Sequence, residues 1–403
     1  HLWLKPDRQL KHTFVPDELA AMAGMGELCN GKFVLPELDN PVLCGALVTD
    51  ALLDETPKIQ NRNGLISPKY RKLTPARLRA KLEHRAEQNL VSLFGIAPAD
   101  VFDTAARDLR ENINESELGQ CVSDASMLPH GLWKSKIEMD DVRIRTPKDY
   151  LPTAKSVIVM GMHYPEELIH NSGKQETQQI GTYAFWTYQT IRELQYAAME
   201  LAITLNNYGY KTYITENMLG VGSMVDSPRG QLPDFRCGAI EGFAAGLGEI
   251  SPNGGLLTLD HGPHQRQIVI ITDVELPSDK PLENENICKK CGTCISKCPM
   301  NANKQDSFAI HVGNAVIRYP TILRHRCDWA KRYSLCKDEG PELIGNTTDV
   351  KVTHDSRVTI EDISSACQQK DKIMKTRTCI LEPCLIFCPL GENSQNEKED
   401  ISD

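Results

Sequence analysis

The sequence has no long hydrophobic run, no excess of positive charge and no dinucleotide-binding fingerprint. No uninterrupted apolar run approaches about 18 residues, so we expect no membrane-spanning helix. The chain carries 45 basic and 54 acidic side chains, a formal net charge of −9. This balance disfavours a nucleic-acid partner, because phosphate binding needs a basic surface. No G-x-G-x-x-G motif follows a strand and opens a helix, so the pattern does not predict a nicotinamide dinucleotide site.

The remaining composition is that of an ordinary globular protein. With 403 residues, 40% hydrophobic and 25% charged, the chain is long enough for two or three domains. The sequence begins at His1, and its start lacks the apolar core of a signal peptide. A signal removed beforehand would leave no trace, so the sequence leaves the compartment open.

Three segments differ in pattern. Residues 1–75 carry scattered turn signals and no sustained period, which predicts an irregular N-terminal segment. Residues 76–276 alternate helix and strand patterns, which predicts an α/β domain. Prolines and charges at 276–281 mark a second boundary, and residues 277–403 are polar, rich in cysteine and predicted to form short elements, with an acidic tail.

The elements of the middle segment are predicted from period and punctuation. Thr74 and Pro75 indicate a helix start, and Leu78, Leu82 and Ala86 fall on one face of that helix. Two apolar runs, 91–97 and 156–162, are typical of strands in a sheet covered on both faces. Further predicted elements are a long helix at 183–207, a strand at 211–215, a helix at 237–245 and strands at 256–259 and 267–272.

The fourteen cysteines are the feature that points to chemistry, and ten of them follow residue 287. Cys288-x2-Cys291-x2-Cys294-x3-Cys298-Pro299 is the spacing of a bacterial ferredoxin. In such a run the first three thiolates bind one [4Fe–4S] cluster and the fourth binds another cluster. Structural zinc and disulfides are the alternatives, but zinc sites prefer two separated pairs of ligands.

A second set of ligands is therefore required, and the chain supplies Cys379-x4-Cys384-x3-Cys388-Pro389. We expect Cys388 to complete the first cluster and Cys298, Cys379 and Cys384 to bind the second. The fourth ligand of the second cluster is open between Cys327, which we favour, and Cys336, with Cys367 a distant third. The x4 gap, where x2 is usual, leaves this ligand set uncertain.

A glycine-rich stretch follows the predicted helix at 237–245. Gly246 and Gly248, and later Gly254 and Gly262, either allow a large flat ligand to approach the backbone or merely end a helix. The pattern alone does not separate these readings.

Taken together, the motifs resemble the corrinoid-dependent reductive dehalogenases and the related epoxyqueuosine reductases. The resemblance covers roughly residues 78–390 and is strongest from 236 to 299. It is carried by the following stretches in order: Leu93–Pro98, Leu151–Val159, Tyr208–Tyr210, Ala245–Glu249, Asn253-Gly254, His261-Gly262-Pro263, Ile271–Leu282 and the cysteine run. The Asp279-Lys280-Pro281 stretch leans toward the dehalogenases.

The resemblance implies a nitroreductase-like α/β domain that binds base-off cobalamin, followed by a ferredoxin-like domain with two [4Fe–4S] clusters. It implies an oxidoreductase that passes electrons through the clusters to cobalt. The main reading is reductive dehalogenation of an organohalide, and the alternative is a corrinoid-dependent reductase of a non-halogenated substrate, such as one of the epoxyqueuosine type. The residues it places at the cofactor are Gly246, Leu247, Gly248, Glu249, Asn253, Gly254, His261 and Gly262.

Partners and location follow from the same resemblance. We expect a small-molecule substrate, an organohalide in the dehalogenase case, and an electron-donor protein or quinol-linked donor. A membrane-anchor subunit and a homodimer are compatible with it, and no nucleic acid is expected. The location is either the outer face of the cytoplasmic membrane or the cytoplasm. An electron-transfer subunit without corrin is the alternative from another functional class.

Catalysis in this family uses a tyrosine proton donor beside a cation that lowers its pKa. The candidates here are Tyr188 and Tyr183, with Tyr196 third, and each is also typical of a core aromatic on a helix. Pro252 stands where the family has Arg or Lys. Substitutes for that cation are Arg229, Arg236 and His261, and Asp226 is the candidate acid if the reaction follows the epoxyqueuosine branch.

Overall fold

The protein was analysed as a computed structural model, which describes the strands 27–29 and 32–34 and most of the chain from residue 73. The described ranges are 73–123, 135–165, 168–169, 180–227, 230–282, 286–333, 335, 348–352, 357–369 and 382–390. The chain divides into two units, residues 1–69 and 70–403. In the first, β1 (Glu27–Cys29) pairs antiparallel with β2 (Lys32–Val34). The predicted boundary between residues 276 and 277 stays a prediction.

The second unit contains ten named helices within its described residues. They are α1 (Pro75–Gln88), α2 (Val101–Asn112), α3 (Glu115–Leu118), α4 (Pro147–Tyr150), α5 (Ile180–Asn207), α6 (Ala239–Ala244), α7 (Thr293–Ser296), α8 (Arg324–Lys331), α9 (Ile360–Gln369) and α10 (Pro383–Ile386).

Its described strands form one four-stranded sheet and four two-stranded ones. They are β3 (Leu93–Pro98), β4 (Gln120–Ser123), β5 (Lys136–Met139), β6 (Ser156–His163), β7 (Thr212–Thr215), β8 (Met224–Ser227), β9 (Gly230–Pro233), β10 (Glu249–Ile250), β11 (Leu256–Leu257), β12 (Gln265–Thr272), β13 (Asn303–Val312) and β14 (Ala315–Ile322). The pairs are β4 with β5, β8 with β9, β10 with β11 and β13 with β14.

The first helix forms where its pattern predicts. Thr74 is the N-cap, and its hydroxyl accepts a hydrogen bond from the Arg77 backbone N–H at 3.4 Å. The apolar residues spaced four apart, Leu78, Leu82 and Ala86, are all buried, which confirms the predicted face.

The central sheet has the order β3-β6-β12-β7, and all of its pairs are antiparallel. Both of its faces are covered, as the apolar runs predicted. Ile158 and Ile270 pack in one core with residues of α1 and α5, whereas Val157 and Ile271 pack in a second core with residues of α2 and α6. Each such fully buried side chain contributes about 1.5–3 kcal/mol to stability. Continuous burial therefore explains the apolar runs without parallel strands.

The prediction of only short elements after residue 277 is wrong. Strands β13 and β14, ten and eight residues long, form an antiparallel hairpin. Ile310 on β13 and its cross-strand partner Ile317 on β14 are buried in the same core as α2. So is Tyr319, two residues further along β14 and on the same face of the strand. This period of two was the available signal, and the high polarity of the surrounding sequence concealed it.

The segment that begins at residue 277 is fastened to the central sheet. Asp279 forms two hydrogen bonds with Ile96 of β3: its backbone N–H donates to the Ile96 carbonyl at 2.7 Å, and its side-chain carboxylate accepts from the Ile96 N–H at 2.9 Å. Arg79 on α1 forms an ion pair with the same carboxylate at 2.8 Å. The stretch that precedes the cysteine run is thus held against the sheet edge.

Candidate functional site

The first group of cysteines is Cys288, Cys291, Cys294 and Cys388. All four line one cleft, together with residues of the glycine-rich stretch that include Ser251, Pro252 and Asn253. The late cysteine Cys388 is therefore beside the first three members of the early run, the arrangement that the crossed assignment calls for. Cys384 also lines this cleft.

Local backbone geometry sets the position of this group. The Glu249 carboxylate accepts hydrogen bonds from the backbone N–H groups of Ile287, at 3.1 Å, and Cys288. Gly292 has a positive φ of 77° and precedes α7, so the chain can turn between Cys291 and Cys294 within three residues. Glu249 thus anchors the start of the cysteine loop, and its predicted place at the cofactor stays a prediction.

The cysteines of the first group lie near enough for their charges to affect one another's pKa. Burial, with smaller contributions from the charges of Cys288, Cys388 and Cys291, raises the pKa of Cys294 to about 11. Cys291 differs, because it is exposed and a hydrogen bond from Thr293, whose hydroxyl oxygen lies 3.3 Å from its sulfur, lowers its pKa. A bound metal would stabilise all four as thiolates, since metals bind the deprotonated form.

The second group is Cys298, Cys327 and Cys384. Burial raises the pKa of Cys384 well above its ordinary value, and the charges of Glu382, Cys298 and Cys327 add to the effect. Burial likewise raises the pKa of Cys327, with Cys298 among its charged neighbours. Cys327 lies on α8 and Cys384 on α10, so these helices bring two distant parts of the chain to Cys298. Cys379 and Cys336 lie outside the described residues, and Cys367 is buried on α9.

Buried charges surround the second group. Asp234 accepts from the Arg236 guanidinium at 2.7 Å and also from the Lys331 ammonium. The same guanidinium donates to the sulfur of Cys327 at 3.7 Å. Arg236 is 3% exposed and therefore lies against a cysteine inside the protein. The sequence missed Asp234 and Lys331, since neither belongs to a recognisable motif.

The cysteines fit iron–sulfur clusters by donor type and number. Within the described ranges, no three Cys, His, Asp or Glu side chains converge tightly enough to hold a single metal ion. A cubane makes a different demand, because each thiolate binds its own iron and the sulfur atoms stand apart around it. Of the five thiols that line the cleft, Cys288, Cys291, Cys294 and Cys388 meet that demand, and Cys384 supplies most of another set together with Cys298 and Cys327.

The glycine-rich stretch serves chain packing. After α6, Leu247 donates to the Gly242 carbonyl at 2.9 Å and Gly246, with φ of 75°, donates to the Phe243 carbonyl at 3.0 Å. This pair of bonds is the Schellman motif that ends a helix. A Cβ atom on Gly246 would lie 2.4 Å from the Lys280 carbonyl oxygen, and one on Gly248 would lie 2.0 Å from that of Leu257.

The other residues that the resemblance placed at the cofactor also have partners within the protein. The Asn253 amide donates to the Cys384 carbonyl at 3.3 Å. Gly262 lies against the Leu390 carbonyl, Gly254 lies against Tyr319, and the His261 ring stacks on His163 with ring centroids 4.0 Å apart. The structure thus shows that these glycines allow close approach of chain to chain, and the placement of this stretch at the cofactor stays a prediction.

The tyrosine candidates are in three different environments on α5. Tyr183 is fully buried and its hydroxyl donates to Glu382 at 2.9 Å. Tyr188 is 9% exposed, and Tyr196 is 49% exposed. Burial raises the pKa of Tyr183 well above its ordinary value, and the Glu382 charge adds to this. The hydroxyl therefore stays protonated.

Glu382 connects Tyr183 to a buried cation that the sequence did not nominate. Arg266 on β12 forms an ion pair with Glu382, and both side chains are 1% exposed. The predicted strand began at Gln267, two residues after the observed start at Gln265, and so left Arg266 out. Arg236 belongs to the second cysteine group, Arg229 lies outside the described residues, and the side chain of Asp226 is not described. At the position of the missing family cation, the Pro252 carbonyl accepts a hydrogen bond from Asn303.

Among the described residues, no helix is both long enough and apolar enough to cross a membrane.

The chain is similar in sequence to members of two groups of enzymes. No family model matches the sequence. An epoxyqueuosine reductase of Bacillus cereus is 30% identical over 175 residues, 42% of this chain and 42% of that protein. A tetrachloroethene reductive dehalogenase of Desulfitobacterium hafniense is 29% identical over 151 residues, 37% of this chain and 23% of that protein. The chain thus matches less than half the length of either relative.

A solved structure of an epoxyqueuosine reductase with an epoxyqueuosine-modified tRNA stem loop has 18% sequence identity. The structural match covers 79% of this chain and 67% of the chain in that structure, with a TM-score of 0.45. The match to the Bacillus cereus epoxyqueuosine reductase extends over more of both chains than the match to the dehalogenase. The chain is therefore a homologue of the epoxyqueuosine reductases and the reductive dehalogenases, both of which are oxidoreductases.

Proposed function

We propose that the chain is a corrinoid-dependent iron–sulfur reductase with two [4Fe–4S] clusters. Cys288, Cys291, Cys294 and Cys388 bind the first cluster, and Cys298, Cys327, Cys379 and Cys384 bind the second. The observation that carries this proposal is the exchange of partners: Cys388 lines the cleft of the early run, whereas Cys298 is a charged neighbour of Cys327 and Cys384. That exchange is what a two-cluster ferredoxin run requires.

Solvent exposure suggests the direction of electron flow. Cys291 of the first group is exposed, whereas Cys298, Cys327 and Cys384 of the second group are each only partly exposed. An electron donor therefore reaches the first cluster, and the second passes the electron inward. Single-electron transfer of this kind is the usual work of paired cubanes.

The corrinoid is proposed from homology. When bound, it supplies a low-valent cobalt centre that cleaves a carbon–heteroatom bond reductively. The residues of this chain position the clusters and supply the proton. Glu249 holds the start of the cysteine loop by hydrogen bonds, and α5 carries the candidate tyrosine hydroxyls. Of these, we propose Tyr188 as the proton donor, because Tyr183 is wholly buried and bonded to Glu382.

The substrate class is open between two branches, and the longer match favours an epoxide substrate of the epoxyqueuosine type. The expectation that no nucleic acid takes part conflicts with the tRNA stem loop held by one similar structure. Reductive dehalogenation is the second candidate, and the homologous tetrachloroethene dehalogenase supports it.

Anaerobic purification followed by metal analysis and visible spectroscopy tests the cofactors. We expect about eight irons and about one corrinoid per chain after reconstitution with cobalamin. Iron–sulfur absorbance with no retained corrinoid would leave only an electron-transfer protein.

Substrate assays then separate the branches. The loaded protein, reduced by a low-potential donor, is given either an epoxyqueuosine-containing tRNA stem loop or a chlorinated alkene. Turnover of the first alone establishes the epoxide branch, and turnover of the second alone establishes dehalogenation. Loss of turnover in Tyr188→Phe supports Tyr188 as the acid, and unchanged turnover removes it from the mechanism.

A further inference from the structure

Arg236 occupies an unusual place for an arginine. Its side chain is 3% exposed, and one of its terminal nitrogens lies 3.7 Å from the sulfur of Cys327. A buried guanidinium needs a counter-charge, because burial of an unpaired ion is costly. Asp234 supplies that charge through contacts to Nε at 3.1 Å and Nη2 at 2.7 Å.

Asp234 also fixes the direction of the guanidinium. Its other carboxylate oxygen accepts from the Arg236 backbone N–H at 2.9 Å, so one carboxylate holds both ends of the residue. The Asp234 backbone N–H donates to the Ser223 carbonyl at 2.9 Å. These hydrogen bonds fix the turn, and the turn directs the Arg236 guanidinium toward Cys327.

The local charge balance is positive. Lys331, four residues after Cys327 on α8, shares the same Asp234 carboxylate. Two cations thus face one carboxylate beside Cys327. The other nearby acids have their own cations: Asp328 is balanced by Arg324 at 3.6 Å and accepts from the Ser223 hydroxyl, and Glu382 is paired with Arg266. Because the group is buried, water does not screen these charges as it would at the surface.

Hydrogen bonds to the sulfurs and local charge set the potential of an iron–sulfur cluster. Reduction adds one negative charge to the cluster, so a nearby cation and an N–H···S bond stabilise the reduced form. We propose that Arg236, held by Asp234, raises the reduction potential of the second cluster and so makes that buried cluster a usable electron acceptor.

This inference rests on the proposed function, since it needs a cluster bound to Cys327. Arg236 acts here as a residue that sets a cluster property, in contrast to the catalytic cation that the sequence suggested. Two sulfurs of the first group have neutral partners instead: the Lys290 backbone N–H lies 3.4 Å from that of Cys288, and the Thr293 hydroxyl lies beside that of Cys291.

An EPR-monitored redox titration of the full cluster-loaded chain tests the proposal. The variants are Arg236→Gln, which removes the charge, and Arg236→Lys, which keeps it without the planar fork. Arg79→Gln is the matched control, because Arg79 also pairs with a carboxylate, Asp279, at 2.8 Å. We expect one of the two midpoint potentials to become more negative in Arg236→Gln, less so in Arg236→Lys, and neither to change in Arg79→Gln.

Two clusters with unchanged potentials in Arg236→Gln would overturn the proposal. If Arg236→Gln loses its second cluster, Arg236→Lys decides: a more negative potential of one cluster supports the proposal, and unchanged potentials overturn it. A wild-type chain that binds no clusters contradicts the proposed function itself, which separates the two failures.

Discussion

Both cysteine groups offer thiolate ligands, but the residues around their sulfurs differ in charge and exposure. In the first, Cys291 is exposed, and the sulfurs of Cys288 and Cys291 have neutral hydrogen-bond partners. The second lies among buried ions, with Arg236 at the sulfur of Cys327 and Glu382 beside Cys384. Water stabilises charge at the first group, whereas fixed protein charges must do so at the second. The difference fits one cluster that receives electrons and another that passes them inward.

The largest effect is expected from removal of a ligand of the buried group. Cys327→Ser should lose the second cluster, because it replaces a thiolate ligand. We expect iron content to fall by about half, from about eight to about four irons per chain. Iron analysis with EPR of the reduced protein measures this.

Cys336→Ser is the matched control for that prediction, since Cys336 is the other cysteine that the spacing offered as the fourth ligand. It should keep both clusters. Loss of half the iron in Cys336→Ser together with full iron in Cys327→Ser would show that the ligand has been assigned to the wrong cysteine.

The next effect concerns the ion pair that supports Cys384. Arg266→Met leaves the Glu382 carboxylate buried without its cation, and such a loss costs about 3–5 kcal/mol. The second cluster should be lost at a lower temperature than in the wild type, as followed by visible absorbance. The double variant Arg266→Met with Glu382→Gln should recover part of the stability. Equal stability of the single variant and the wild type would contradict this account.

A buried carboxylate distant from either group gives a smaller, pH-dependent effect. Burial raises the pKa of Glu241 from 4.5 to about 7, and its carboxylate accepts from the Leu219 N–H at 3.0 Å. The fold favours the protonated form, so stability declines as pH rises from 4.5 to about 7 and then stays level.

Glu241→Gln should therefore stabilise the protein at pH 8, by up to about 3 kcal/mol, and leave it unchanged near pH 4.5. Melting temperatures of variant and wild type at the two pH values test the sign. A gain of the same size at both values would show that the effect is not titration of this carboxyl.

The smallest effect is expected at the exposed group. Thr293→Val removes the hydroxyl that lies 3.3 Å from the sulfur of Cys291. Water replaces this bond because Cys291 is exposed. The midpoint potential of the first cluster should move less than that of the second does in Arg236→Gln. An equal or larger shift would remove the contrast between the two groups.

Many helices and strands could be predicted from the sequence because the patterns that indicate them involve residues close together in the chain. Leu78, Leu82 and Ala86 repeat at helical spacing, and the run from Val157 to Met160 is apolar because both faces of its strand are buried. The cysteine run was readable for the same reason, since its spacing is set by one tight loop.

The charged surroundings of the site were not readable. Arg236 and Cys327 are 91 residues apart, and Arg266 and Glu382 are 116 apart, so only the fold brings them together. The role of the glycines could not be predicted for a different reason. A glycine permits close approach of a ligand or of another chain segment, and sequence does not tell which.

Iron content of two double variants tests the crossed ligation most directly. With crossed ligands, Cys288→Ser combined with Cys388→Ser removes one cluster and leaves about four irons per chain, whereas Cys288→Ser combined with Cys298→Ser removes both and leaves about none. If the run 288–298 instead held a single cluster, the second double variant would keep about four irons, and that result would contradict the account.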